Sequence, residues 1–69
     1  MVRKGDLVRW NYAGSHAEGK VVEIHDEEIE KTIKGTKVKR NGTAENPALV
    51  IEQDDEQQVL KLQSEVEKV

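Results

Sequence analysis

Sixty-nine residues, 35 % apolar and 36 % charged, allow one domain around one small core, with a net stability of about 3–5 kcal/mol. The chain has no cysteine, which excludes disulfides, thiolate nucleophiles and cysteine-ligated metals, and suits a reducing compartment. A formal net charge of −3 opposes nonspecific nucleic-acid binding, because affinity for phosphate depends on neutralising it with Lys and Arg.

Residues 1–5 have no apolar run behind them, so neither a signal peptide nor a membrane span is expected and the chain reads as cytoplasmic. In residues 6–12, Val8, Trp10 and Tyr12 share one face and Leu7, Arg9 and Asn11 the other, the pattern of a half-buried antiparallel strand. Ala13, Gly14, Ser15 and His16 read as a loop by composition. Residues 19–24 predict a second strand, with Gly19 marking a bend or a close backbone approach.

Residues 26–34 fit two periods. Ile29 and Ile33 stand four apart, and Glu27/Lys31 and Glu30/Lys34 are helical pairs of the favourable sense. The same isoleucines share a strand face, no clear cap precedes them and Gly35 ends the stretch, so an extended arm is preferred. Residues 36–40 predict a strand with Val38 inward and Lys37 and Lys39 outward. Asn41-Gly42 is a turn dipeptide; with Thr43 it also matches a glycosylation acceptor, read more simply as a turn. Asn46-Pro47 sets an extended entry into residues 48–52, the most apolar run and the expected central strand. Asp54, Asp55 and Glu56 form an acidic turn, and residues 57–61 a last short strand. Ser64 with Glu67 makes a capping-box pattern, and Leu62, Val66 and Val69 share a helical face, enough for one packed turn.

The elements predict an all-β fold: a small SH3-like or Tudor-like barrel of four to five antiparallel strands with a short C-terminal helical turn. The expected core is Val8, Trp10, Val22, Ile24, Val38, Leu49, Val50, Ile51, Leu60 and Val66.

The order of several motifs carries a resemblance. They are Lys4-Gly5-Asp6-x-Val8-x-Trp10-Asn11, then Gly19-Lys20-Val21-Val22-Glu23, then Ile33-Lys34-Gly35-x-Lys37-Val38-Lys39, then Asn46-Pro47 leading into Leu49-Val50-Ile51-Glu52. In these the chain resembles the hypervirulence-associated Tudor-domain family, small bacterial and fungal proteins largely without assigned function, over residues 4–66. The resemblance implies a Tudor-like barrel and no established ligand. One stretch departs from it. The family tends to carry a small residue, His, Lys and Pro before the C-terminal turn; here Val59-Leu60-Lys61-Leu62 has neither His nor Pro, so nothing attached to that histidine carries over.

No catalytic constellation is evident. Ser15 and His16 are adjacent only in sequence, whereas triads assemble in space, so a non-enzymatic protein is expected. The acidic runs lack the alternating spacing of a calcium loop. His16 and His25 read as surface or loop histidines, so neither metal nor cofactor is expected. The candidate binding residues fall in two groups. Trp10 and Tyr12 are the only aromatics; two rings are few for a methylammonium cage, and Trp10 reads first as core. Lys34, Lys37, Lys39 and Arg40, with Lys31, form a basic stretch without stacking aromatics beside it, and read first as a solvated face that protects a sheet edge. The expected role is a small binding module, with a protein or peptide partner at the barrel face near Trp10 and Tyr12. The alternative is weak nucleic-acid binding through residues 31–40. No membrane partner is expected.

Overall fold

In the computed structural model, which describes residues 2–54 and 56–69, the alternating segment after Asp6 forms strand β1 (Leu7–Tyr12). It is followed by β2 (Ser15–His25), β3 (Glu28–Ile33), β4 (Thr36–Asn41), β5 (Ala48–Glu52), β6 (Gln58–Leu62), a 3₁₀ turn (Gln63–Glu65) and β7 (Glu67–Lys68). Five strands make one antiparallel sheet in the order β6-β5-β2-β1-β7, and β3 and β4 make a separate hairpin. The all-β architecture agrees with the expectation from sequence. The strand count does not: seven are present among the described residues, not four to five, and the barrel is not closed. The physical reason is that, among the described residues, β3 and β4 form a backbone ladder only with each other, while Glu67 and Lys68 add a short strand against β1.

Two tight hairpins shape the sheet. Ala13 and Gly14 have φ of +49° and +78°, and Lys34 and Gly35 have +52° and +76°. Paired positive φ values are those of a type I′ turn, whose twist suits strand pairs. Ser15 and His16, expected in a loop, therefore already belong to β2, in register with Tyr12 and Asn11. Asn41-Gly42 is not such a turn, since neither residue has positive φ. Gly42 is instead a close approach, its N–H donating to Glu27 O (3.2 Å). The approach expected at Gly19 is present: a Cβ there would stand 2.8 Å from Glu52 O.

β5 separates two apolar clusters. Leu49 and Ile51 join Val2, Val8, Trp10 and Val21 on one side. Ala48 and Val50 join Leu60 on the other, where Val22, Ile29, Ile33 and Val38 pack against them. Burial on both faces explains the unbroken apolar run of β5. The β3–β4 hairpin thus covers β5 and β6 with side chains rather than by extending the ladder.

The expected core is right at Val8, Trp10, Leu49, Val50, Ile51 and Leu60, while Val22, Val38 and Val66 are half-buried. Ile24 is wrong, being 38 % exposed, and the fully buried Val21 was missed. A β-bulge is the cause. Val21 pairs with Ile51 but Glu23 with Val50, so one extra residue shifts the phase of the strand. The short C-terminal turn is present as the 3₁₀ turn, with a different cap from the one expected. Its reciprocal contact is from Leu62 N–H to Glu65 Oε1 (2.8 Å) rather than between Ser64 and Glu67, and Val69 is exposed. Asn46 and Ser64 lock this turn to the β4–β5 connection: Asn46 Nδ2 donates to Ser64 Oγ (3.1 Å), and Ser64 N–H to Asn46 Oδ1 (2.9 Å).

Candidate binding cleft between the hairpin tips

β1 carries its aromatics inward and along. Trp10 is 5 % exposed and closes the first cluster, whereas Tyr12, one pleat further, stands 67 % exposed beside the β1–β2 turn. Between them and the β3–β4 tip lies a cleft of about 250 Å³. Trp10, Tyr12 and Ala17 line it from the first hairpin, Lys34 from the second, and Gln53, Gln57 and Val59 from the β5–β6 side. That is smaller than a drug-sized pocket and suits one or two side chains.

The sequence-derived candidates divide. Trp10, Tyr12 and Lys34 come together at this cleft. Lys37 and Lys39 project from the outer face of the hairpin, Lys39 Nζ 3.5 Å from Glu28. Arg40 turns the other way, its Nε donating to Glu65 Oε1 at 3.1 Å. Lys31 also turns inward, with Nζ donating to Gln58 Oε1 (3.1 Å) and lying 3.6 Å from Glu23. The basic stretch is therefore not one surface. Ala17, Gln53, Gln57 and Val59 had no sequence signal, because small, amide and aliphatic residues reach the cleft only through the topology.

The carboxylates that hold the hairpin are shifted. Glu23 is held below the usual carboxylate range, first by the His25 hydrogen bond (2.8 Å) and then by the Lys31 charge. For Glu65, burial is the largest influence and pushes upward, but the Leu62 N–H and Arg40 together outweigh it and the net direction is down. His25, expected as a surface or loop histidine, is half-buried at the end of β2 and engaged with Glu23. Ser15 and His16 are consecutive in a strand, so their side chains take opposite faces and form no dyad. Among the described residues no group of three or more His, Asp or Glu side chains is arranged to hold a metal ion. Of the acidic turn, Asp54 and Glu56 are described and Asp55 lies outside the described residues.

Antiparallel strands, a bulged second strand and a cleft flanked by two hairpin tips define a small Tudor-like module. The chain belongs to the family described as hypervirulence associated proteins Tudor domain, whose family model matches residues 5–66. Comparison with the curated proteins and with the solved structures finds no match. Tudor domains generally bind proteins or peptides, so membership suggests a small binding module. Among the described residues no helix is long and apolar enough to cross a membrane.

Proposed function

We propose that the chain binds a protein partner through a short peptide segment seated in the cleft around Trp10 and Tyr12. The observation that carries this reading is the exposed Tyr12 ring, which lines a pocket together with the nearly buried Trp10 and with Lys34. An exposed tyrosine beside a partly formed apolar pocket is the kind of anchor that dominates peptide interfaces. A cytoplasmic setting belongs to the same reading, on the cysteine-free composition.

Nucleic-acid binding through residues 31–40 has less support. Lys31, Lys39 and Arg40 each face a carboxylate of this chain, and the rings lie at the cleft rather than beside Lys37. Chemical-shift mapping of the full chain against a peptide library and a short oligonucleotide tests the choice. Shifts on Trp10, Tyr12 and Gly14 with peptide are expected. Salt-sensitive shifts confined to residues 34–40 with the oligonucleotide would reverse it.

A further inference from the structure

The cleft is uneven in charge. Among its described lining residues only Lys34 carries a full charge at neutral pH, and it makes no ion pair among the described residues. Its place at the tip of a two-residue turn fixes its backbone, so the ammonium is presented from a rigid base. Lys34 also lines the adjoining cleft, where Glu56 shares the lining with it without forming an ion pair.

Among the described residues, an ammonium without an ion pair in a lining without a carboxylate calls for an anionic partner. This arrangement also opposes a methylated lysine or arginine, whose fixed positive charge Lys34 repels and which two rings do not enclose. We infer that the cleft selects an acidic peptide: an Asp or Glu side chain whose carboxylate meets Lys34, flanked by an aliphatic side chain packed on Tyr12, Ala17 and Val59. This inference rests on the peptide-binding reading.

Three peptides of one frame test it on the full chain: acetyl-Ala-Leu-X-Leu-Ala-amide with X as Glu, Gln or trimethyl-lysine, followed by amide and indole NMR shifts. The Glu peptide is expected to bind about 3–5-fold tighter than the Gln peptide, the scale of one exposed ion pair, and the trimethyl-lysine peptide weakest. Lys34→Gln should level Glu and Gln, and Lys34→Glu should invert them, both with dispersed spectra because Lys34 is exposed. Equal affinities at the cleft, or a preference for trimethyl-lysine, would overturn acidic selectivity and leave peptide binding standing. Shifts absent from the cleft with all three peptides would overturn the peptide-binding reading itself.

Discussion

Replacing Gly42 by alanine places a methyl group where the chain crosses itself. The added Cβ would stand 2.5 Å from His25 O, 2.7 Å from Ala48 N and 3.1 Å from Glu27 O. All three are backbone atoms, in β2, the bend before β3 and the start of β5, so none can rotate aside as a side-chain end could. Gly42 does not have positive φ, so the effect is steric rather than conformational. Overpacking costs about 1–3 kcal/mol where neighbours can adjust; with backbone on two strands, about 3 kcal/mol is expected. Set against a total of about 3–5 kcal/mol, that leaves a domain close to unfolding. Denaturant titration can follow it through Trp10, the single tryptophan. The midpoint should fall steeply while the slope stays constant, as for a pure stability change. A loss under about 0.5 kcal/mol would refute the reasoning, because it would mean that the β3–β4 hairpin can lift from the sheet at no cost.

Trp10→Ala should cost about 3–5 kcal/mol, as truncation of a buried large aromatic does, and leave a chain without amide dispersion; a dispersed spectrum would contradict the burial of Trp10. Ala13→Asn should raise stability by about 0.5–1 kcal/mol, because Asn adopts the left-handed conformation of Ala13 more readily and suits the type I′ turn; an unchanged midpoint would count against that turn. Glu65 is held below the ordinary glutamate value of 4.5, so its contribution is present above that pH and is lost as pH falls through the lower folded value. Glu23, also lowered, acts in the same direction. Stability should therefore decline on acidification below pH 4.5, less steeply in Glu65→Gln; identical acid limbs would show that the Leu62 and Arg40 contacts contribute nothing.

What was legible from sequence follows from what each residue depends on. β5 could be read because an apolar run buried on both faces needs no phase, and β1 because Val8 and Trp10 alternate cleanly. The phase of β2 could not, since the bulge at Val21 and Glu23 is fixed by how β5 lies beside it. Asn41-Gly42 looked like a turn, yet its glycine serves a crossing between segments distant in sequence, while the actual hairpin tips carry Ala13 and Lys34 in place of the favoured asparagine. Trp10 and Tyr12 stood out as the only aromatics. That Lys34 parts from Lys37, Lys39 and Arg40 to join them required the hairpin to fold across β5 and β6. Gln53, Gln57 and Val59 enter the cleft from the β5–β6 side, and no local pattern marks them.

The central claim is that recognition runs through Tyr12 and its cleft. Peptides selected on the native chain from a random display library should be measured against Tyr12→Ala and against Lys37→Glu with Lys39→Glu. Tyr12 is exposed, so its removal should leave the fold intact. Affinity for the selected peptides is expected to fall about tenfold or more in Tyr12→Ala, the loss typical of an aromatic anchor, and to stay within about twofold in the double charge reversal, because exposed charges remote from a contact contribute little. Affinity unchanged by Tyr12→Ala and abolished by the charge reversal would contradict the claim and move the binding surface to the outer face of the β3–β4 hairpin.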